Sequence, residues 1–321
     1  MTEVHRVRVV EVIDETPDTR SFVLEGASFT PRPGQFLTVR IGDAARCYSL
    51  SSAPHEPLKI TVKRTLDGYG SNWMCSEVSA GTELDVLAPA GVFTPASLDG
   101  SLLAYAGGSG ITPVMSIIRT VLACGLGRIT LVYANRDERS VIFAAELARL
   151  AASFPERLTV VHWLESLQGL PSVEQLRALA RPCDEAFICG PGPFMDAARA
   201  ALRGVPRVHV EKFVSLSENP FSRPVEEPGA VVATVEVELD GAHHTFDWPA
   251  RTRLLDLLLD KGLDAPYSCR EGACSACACR LVSGEVKMLN NDVLDEDDLA
   301  EGIVLACQSV PVTDTVKITY T

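Results

Sequence analysis

Apolar and polar positions alternate in short runs through residues 1–98. A period of two is typical of β-strands that turn one face to a core and the other to water. Turn residues such as Pro31-Arg32-Pro33-Gly34 separate the runs, and no helical period begins before the region of Ser71. Residues 1–98 are therefore predicted to form a small antiparallel β-barrel. The predicted strands are His5–Ile13, Thr19–Leu24, Gln35–Ile41, Leu58–Val62 and Glu83–Ala88.

After residue 98 the pattern changes to short apolar runs that alternate with helical stretches. This alternation is typical of right-handed βαβ units around a mostly parallel sheet. We therefore predict an α/β domain over residues 99–216. Its predicted strands are Leu102–Ala106, Ile129–Tyr133, Leu158–His162 and Glu185–Cys189. Its predicted helices are a run from Pro113 to Ala123, then Ala144–Ala152 and Val173–Ala180.

Residues 217–230 contain three prolines and no hydrophobic period, which is typical of a semi-rigid linker between domains. From Val231 the alternating pattern of a β-hairpin returns, with its turn at Gly241-Ala242. A helix is predicted from Leu254 to Lys261, and Gly262 is its expected C-terminal cap. Residues 231–321 are thus predicted to be a third domain.

Four cysteines in the third domain have a specific spacing. Four residues separate Cys269 from Cys274, two separate Cys274 from Cys277, and Cys307 follows after twenty-nine more. This is the ligand spacing of a plant-type [2Fe–2S] cluster, in which each iron takes two thiolates. The alternatives are a structural zinc site, for which a second C-x2-C hook is missing, and a group of buried free cysteines. The nearby Cys279 is surplus and is predicted to be a packing residue or an incidental thiol.

The segment Arg46-Cys47-Tyr48-Ser49 places a cation, an aromatic ring and a hydroxyl on one predicted strand. These groups suit a flavin: the guanidinium can pair with phosphate, the ring can pack on a flat face, and the hydroxyl can donate a hydrogen bond. Taken alone, an ordinary strand with a surface arginine explains the segment better. Glycines before a short helical stretch, Trp73–Val78, add a possible anion site at a helix start.

Two further turns are candidates for nucleotide binding. The first strand of the second domain leads into Gly107-Gly108-Ser109-Gly110-Ile111-Thr112-Pro113, where backbone can approach a pyrophosphate at the start of a helix. Thr112 is the predicted N-cap, and Pro113 suits the first helical turn. The fourth strand leads into Cys189-Gly190-Pro191, at the strand end where parallel sheets bind ligands. By itself, Cys189 is better explained as a small core residue.

Composition and charge narrow the function classes. The chain has 321 residues, 46% of them hydrophobic, and a net charge of −13, which argues against a nucleic-acid partner. No apolar stretch is long enough to cross a membrane, so we expect a cytoplasmic protein without a membrane partner. Its ten cysteines are then expected to be ligands, catalytic groups or buried hydrophobic residues rather than disulfides. Residues 231–321 carry −9 of this net charge. The acidic run Asp295–Asp298 is either the solvated start of a helix or part of an acidic face that steers a basic partner.

Four motifs of the first domain resemble the ferredoxin–NADP reductase superfamily: Arg46-Cys47-Tyr48-Ser49, Val62-Lys63-Arg64, Gly70-Ser71 and Gly91-Val92-Phe93. The resemblance implies a flavin, FAD rather than the FMN of the related phthalate dioxygenase reductases. It also implies a flavin-binding role for the matching positions. These are Arg46, Cys47, Tyr48, Ser49, Val62, Lys63, Gly70 and Ser71.

The turn at Gly108 resembles the superfamily's nicotinamide motif, G-x-G-x-x-P. The resemblance implies that Phe213 stacks on the flavin, although ordinary core packing also explains an aromatic there. It further implies that Ser49, Cys189 and Phe213 surround the reacting atoms. NADH is the expected donor, although Arg136 leaves a 2′-phosphate open. The residues implied to bind the nicotinamide cofactor are Gly108, Gly110, Thr112, Cys189, Gly190, Pro191 and Phe213.

The three predicted domains follow one another as in the reductase components of Rieske-type oxygenases: flavin barrel, parallel-sheet nicotinamide domain and β-grasp ferredoxin. The amino-acid sequence of residues 162–171 resembles, more specifically, that of the reductases of 3-ketosteroid 9-alpha-hydroxylases. This resemblance implies an enzyme that takes hydride from NADH and passes single electrons to a separate oxygenase component. Two alternatives stay open, a reductase of a diiron monooxygenase or epoxidase and a flavin-free electron carrier.

Overall fold

The computed structural model describes residues 4–27, 29–216, 219–221 and 230–320, and its first domain is a closed antiparallel barrel. Its six strands are β1 (His5–Thr16), β2 (Thr19–Glu25), β3 (Phe36–Ile41), β4 (Ala44–Ser49), β5 (Leu58–Lys63) and β6 (Glu83–Val86). They lie in the order β4-β3-β6-β1-β2-β5. A bridge between Leu50 and Ile60 joins the two outer strands and closes the sheet into the predicted barrel.

One helix, α1 (Tyr69–Glu77), packs against the barrel. It buries Met74 and Cys75 in the same core as the strands. The sequence predicted a helix only from Trp73, and the structure corrects this start by four residues. Gly70 weakens the helical pattern of the sequence, but its missing Cβ is what lets the helix lie against β4.

The second domain is a five-stranded parallel sheet with helices on both faces. Its strands are β7 (Ser101–Gly107), β8 (Arg128–Asn135), β9 (Leu158–Leu164), β10 (Glu185–Cys189) and β11 (Val208–Glu211). Its helices are α2 (Ile111–Cys124), α3 (Ala144–Ser153), α4 (Glu165–Gln168), α5 (Val173–Leu179) and α6 (Gly192–Ala201). The strand order is β11-β10-β7-β8-β9, and every pairing is parallel, as the alternating pattern predicts.

The central strand β7 shows why its sequence is apolar throughout. Ala104 and Ala106 face one core with helices α2 and α3, whereas Leu103 and Tyr105 face a second core with α5 and α6. Both faces of the strand are therefore buried, and the carboxyl ends of β7 and β10 lie side by side. This edge holds both predicted nucleotide-binding turns.

The third domain has the β-grasp arrangement. Its strands are β12 (Val231–Leu239), β13 (Ala242–Pro249), β14 (Ala278–Ser283), β15 (Val286–Met288), β16 (Ile303–Leu305), β17 (Ser309–Pro311) and β18 (Thr315–Thr319). Its helices are α7 (Leu254–Asp260) and α8 (Glu296–Ala300). The hairpin β12–β13 pairs with the last strand, β18, in parallel, and α7 packs its leucines on the sheet. Gly262 has a φ of +82°, as expected for the residue that ends α7.

Hydrogen bonds connect the barrel to each of the other domains. Ser116 in α2 donates to the carbonyl of Ser52 at 2.6 Å, and Thr38 in β3 hydrogen-bonds to Ser268, just before the predicted cluster loop. Of the predicted linker, residues 217–230, only residues 219–221 and 230 belong to the described part. The domain boundaries after residues 98 and 216 stay predictions. No helix among the described residues is long and apolar enough to cross a membrane.

Candidate functional site

Strand β4 presents two different faces because successive side chains of a strand point in opposite directions. Arg46 and Tyr48 point toward the start of helix α1, where a Cβ on Gly70 would lie 2.6 Å from the Arg46 Cγ and 3.1 Å from the Tyr48 hydroxyl. Cys47 and Ser49 point the other way, into a cleft shared with the other domains. The sequence placed these four residues on one strand but did not separate their two environments.

The face with Arg46 and Tyr48 has properties that suit a flavin with a phosphate tail. The Tyr48 hydroxyl is buried and has no hydrogen-bond partner among the described residues, and burial raises its pKa. An unpaired buried hydroxyl is costly unless a ligand completes it. Arg46 donates to the backbone carbonyls of Ala45 at 2.6 Å and Leu216 at 3.3 Å. Helix α1 has no acidic residue and no side-chain cap in its first turn, which leaves N–H groups for an anion.

The remaining residues predicted to bind flavin have other contacts. The Val62 side chain lies in the barrel core, so only its backbone faces outward. The Lys63 Nζ lies 3.6 Å from the Asp18 Oδ2, and the Ser71 hydroxyl oxygen lies 2.9 Å from the Thr65 hydroxyl oxygen. Their roles toward a flavin stay predictions.

A cleft brings together residues from all three domains. Phe213 is half exposed at this cleft, beyond the end of β11, where a flat ring could stack on it. Cys47 belongs to the same apolar cluster as Cys269, Ala273 and Cys274 of the cluster loop. Burial raises the pKa of the Cys47 thiol to about 12, so it is neutral at pH 7. The lining includes Cys47 and Ser49 from the barrel, Glu211 and Phe213 from the second domain, and Cys269 and Cys274 from the third.

Glu211, at the end of β11, is a site residue that sequence reasoning missed. Its carboxyl group lines the shared cleft, and burial raises its pKa to about 7. Its backbone pairs with that of Cys189 in the neighbouring strand. A carboxyl group that titrates near neutral pH can hold or release a proton within this cleft. The signal in the sequence was an acidic residue at the end of a short strand, Val208–Glu211, in which Val208 and Val210 alternate with polar residues.

The two glycine-containing turns of the second domain touch each other. A Cβ on Gly110 would lie 2.0 Å from the carbonyl oxygen of Cys189, and one on Gly190 would lie 3.0 Å from the Cα of Gly107. Glycine is therefore required for the turns to meet at the ends of β7 and β10. Gly108 has a φ of +52°, its Cβ position is open, and its carbonyl accepts a hydrogen bond from Tyr133 at 3.0 Å.

The prediction for Thr112 as an N-cap was wrong. Gly110 is the N-cap of α2, and the buried Thr112 hydroxyl donates back to the carbonyl of Ser109 at 3.0 Å. The hydroxyl thus stabilises the turn rather than capping the helix. Cys189 is fully buried, and burial raises its thiol pKa, while Pro191 is exposed next to Gly107.

The four predicted cluster cysteines meet in the third domain. The N–H groups of Glu271 and Ala273 each donate to the Cys269 sulfur at 3.4 Å, and the N–H of Cys307 donates to the Cys277 sulfur at 3.4 Å. The neighbouring Cys274 and Cys307 thiols, together with these N–H groups, lower the pKa of Cys269. Thiolates bind iron, and N–H donors to sulfur stabilise the reduced cluster. The surplus Cys279 is buried in the domain core, as predicted for a packing residue.

The loop that carries Cys269, Cys274 and Cys277 has a strained backbone. Arg270 and Ser275 have φ of +62° and +53°, and Gly272 has a φ of +80°. A side chain on Gly272 would lie 2.8 Å from the carbonyl of Asn290. Strain of this kind persists only where the surroundings hold it, and a cluster bound by these cysteines would do so. Among the described residues, no group of three His, Cys, Asp or Glu side chains is arranged to hold a single metal ion. A two-iron cluster does not require such a group, because each iron takes only two thiolates.

Known proteins match this chain over nearly its full length. The ferredoxin reductase component of 3-ketosteroid-9-alpha-monooxygenase from Rhodococcus rhodochrous is 55% identical over 97% of this chain and 95% of its own length. The chain belongs to this family of oxygenase reductase components. One subunit of the 1,2-phenylacetyl-CoA epoxidase from Escherichia coli is 34% identical over 100% of this chain and 98% of its own length.

Two family descriptions match separate parts of this reductase. Residues 105–200 match the oxidoreductase NAD-binding domain, and residues 237–312 match the 2Fe-2S iron-sulfur cluster binding domain. A solved phthalate dioxygenase reductase, described as a modular structure for electron transfer from pyridine nucleotides to [2Fe-2S], superposes with a TM-score of 0.61. It is 26% identical, and the match covers 98% of each chain. The predicted architecture of barrel, nicotinamide domain and ferredoxin is thereby confirmed.

Proposed function

We propose that this reductase takes hydride from NADH and delivers single electrons to the terminal component of an oxygenase. The observation that carries the proposal is the shared cleft. Strand β4 of the barrel, which we call the flavin strand, meets there the segment after β11 of the nicotinamide domain and the cluster loop, residues 269–277. A two-electron donor and a one-electron acceptor need such a junction. FAD is the flavin we propose, because a 27% identical neighbour with a TM-score of 0.57 is an FAD/NAD-binding domain.

When bound, the flavin accepts hydride and releases electrons one at a time, and the cluster carries each of them onward. The chain's own residues bind and orient these groups. Arg46, Tyr48 and the start of α1 hold the flavin. The flavin provides the hydrogen-bond partner that the Tyr48 hydroxyl lacks among the described residues. Ser49 and Phe213 line the cleft on the barrel and nicotinamide sides.

The nicotinamide cofactor is positioned by the paired turns. Gly108 and Gly110 let the backbone approach its pyrophosphate at the start of α2, and Cys189-Gly190-Pro191 flank the nicotinamide. Glu211, beside Cys189, has a pKa raised by burial to about 7, so its carboxyl group can take up or release a proton in the cleft at neutral pH.

Cys269, Cys274, Cys277 and Cys307 hold the cluster, and their N–H donors stabilise its added electron. Cys269 and Cys274 face the flavin strand across the apolar cluster that contains Cys47 and Ala45. These apolar side chains bring the cluster loop into direct contact with strand β4 of the barrel.

The partner we propose is the terminal component of a steroid-ring hydroxylase of the 3-ketosteroid 9-alpha type, in the cytoplasm. The 55% identity to a reductase of that system favours it over the epoxidase system, whose matching chain is 34% identical. The purified reductase is expected to support NADH-driven turnover with the steroid oxygenase and not with the epoxidase. Turnover with the epoxidase alone would reverse this choice.

Cys307→Ala tests the separate roles of flavin and cluster. We expect the variant to lose cytochrome c reduction, for which the electrons pass through the cluster, and to keep NADH–ferricyanide turnover, for which the flavin alone suffices. Cys279→Ala is the matched control, because this cysteine is buried in the same core but is not a ligand. Equal loss of both activities in a folded Cys307→Ala protein, or loss of cytochrome c reduction in Cys279→Ala, would contradict the assignment.

A further inference from the structure

The position of Arg136 poses a question about cofactor choice. Strand β8 lies next to β7, the strand that leads into the glycine-rich turn, and β8 ends at Asn135. In dinucleotide-binding folds, an acidic residue near this strand end binds the ribose 2′-hydroxyl of NAD, whereas an arginine accommodates the 2′-phosphate of NADP. This chain has the neutral Asn135 followed by Arg136, so its own strand end favours NADPH.

The missing acidic group comes from the barrel. Asp18, in the turn between β1 and β2, places its carboxylate 3.2 Å from the Arg136 guanidinium. The contact joins residues 118 positions apart and crosses from the first domain to the second. Arg136 is two-thirds exposed, so a nucleotide at the end of β8 would reach both partners of this ion pair.

The Asp18 carboxylate is fixed in place before any nucleotide binds. Its Oδ1 accepts hydrogen bonds from the hydroxyls of Thr16 at 2.8 Å and Thr19 at 3.1 Å, and its Oδ2 lies 3.6 Å from the Lys63 ammonium. Partial burial opposes ionisation, but the two hydroxyls and the charges of Lys63 and Arg136 lower the Asp18 pKa overall. Asp18 is therefore a carboxylate at neutral pH.

We propose that Asp18 sets the preference of this reductase for NADH over NADPH by neutralising Arg136 and by repelling a 2′-phosphate. A 2′-phosphate at Arg136 would have to displace a held carboxylate or lie beside it, and both cost binding energy. A ribose with a free 2′-hydroxyl meets neither penalty and can donate a hydrogen bond to the carboxylate. The inference rests on the proposed use of NADH and names the residue that decides it.

Binding of nucleotide fragments tests this without turnover. The probes are 5′-AMP and 2′-phospho-5′-AMP, titrated into the purified flavin-loaded reductase by calorimetry. We expect Asp18→Asn to tighten binding of the 2′-phosphorylated probe by about tenfold relative to 5′-AMP, the size of one charge interaction near a surface. Adding Arg136→Ala to this variant is expected to abolish the gain.

Steady-state kinetics gives a second readout. The ratio of kcat/KM for NADPH to that for NADH is expected to rise about tenfold in Asp18→Asn, mainly through KM for NADPH. Asp14→Asn is the matched control, because Asp14 lies in the same hairpin but pairs with Arg20 of the barrel at 2.8 Å. Asp18→Ser provides a second neutral variant should the asparagine disturb the turn, and flavin absorbance confirms that each variant is loaded.

The outcomes are distinct. Unchanged probe selectivity in both neutral variants, equal tightening of both probes, or the same shift in Asp14→Asn would overturn the role of Asp18. A wild-type protein that NADH does not reduce would instead contradict the proposed function, whatever the probes show.

Discussion

At the scale of single residues, Glu211 introduces a titratable group into a largely apolar cleft. Its carboxyl group lies among Cys47, Phe213 and the cluster loop, and burial raises its pKa from the usual 4.5 to about 7. A carboxyl group in this position must either stay protonated or carry an unpaired charge in a poorly solvated place. Both the stability and the chemistry of the cleft therefore change near neutral pH.

Glu211→Gln is expected to flatten the pH dependence of stability. Below pH about 4.5 the carboxyl group is protonated in both folded and unfolded chains, so it adds no difference there. As pH rises from about 4.5 to about 7 the unfolded chain ionises first, so the wild type loses about 1–3 kcal/mol that the glutamine variant keeps, and the loss levels off at higher pH. Urea unfolding of the purified proteins between pH 5 and 8.5 measures the difference.

Glu77→Gln, at the exposed end of helix α1, is the matched control and should leave the pH profile as it is. A Glu211→Gln protein that loses stability in parallel with the wild type as pH rises would show that Glu211 is not the group responsible.

Residue chemistry was predictable where it depends on spacing along the chain. The four cluster cysteines follow from two short intervals and one long one, and the structure brings them together. Glu211 and Asp18 were not predictable, because each acts through contacts with distant segments. Asp18 contacts Arg136, which lies 118 positions further along the chain, and neither hydrophobic periodicity nor a sequence motif predicts such a contact.

At the scale of elements, the nucleotide site depends on two turns that touch. Gly110 lies against the carbonyl of Cys189, and Gly190 lies against Gly107, so the ends of β7 and β10 form one surface. A parallel sheet positions these strand ends, but only residues without a Cβ let the turns approach this closely.

Gly110→Ala is expected to force the turns apart. Its Cβ would lie 2.0 Å from the Cys189 oxygen, a contact with backbone that no rotamer relieves. We expect a loss of stability of at least about 2 kcal/mol and a higher KM for NADH. Urea unfolding and steady-state kinetics measure the two effects.

Gly192→Ala, at the start of helix α6, is the control because its Cβ would meet nothing within 4 Å. Similar effects for both alanine variants would mean that helix-start flexibility, rather than the contact with Cys189, is what matters.

Element types were well predicted because apolar and polar residues alternate in short runs in the barrel, whereas burial runs almost unbroken along β7 and β10. Element starts were less predictable. Helix α1 begins at Tyr69 because Gly70 fits against Arg46, and Thr112 bonds back to Ser109 instead of capping α2. Both differences come from tertiary contacts that local propensity does not include.

At the scale of the whole molecule, the domain order along the chain indicated the components but not their junction. The cleft forms because Thr38 of the barrel hydrogen-bonds to Ser268 and because Cys47 packs with the cluster loop. On the other side, Ser116 joins the barrel to the nicotinamide domain. These contacts between domains make a single electron path physically reasonable.

The central claim is that electrons from NADH cross the flavin site and reach the cluster within one chain. An anaerobic titration of the purified reductase with NADH, followed by visible spectra and EPR, tests it most directly. We expect flavin absorbance to bleach and the EPR signal of a reduced [2Fe–2S] cluster to develop. Bleaching without that signal in protein shown to contain the cluster would contradict the account.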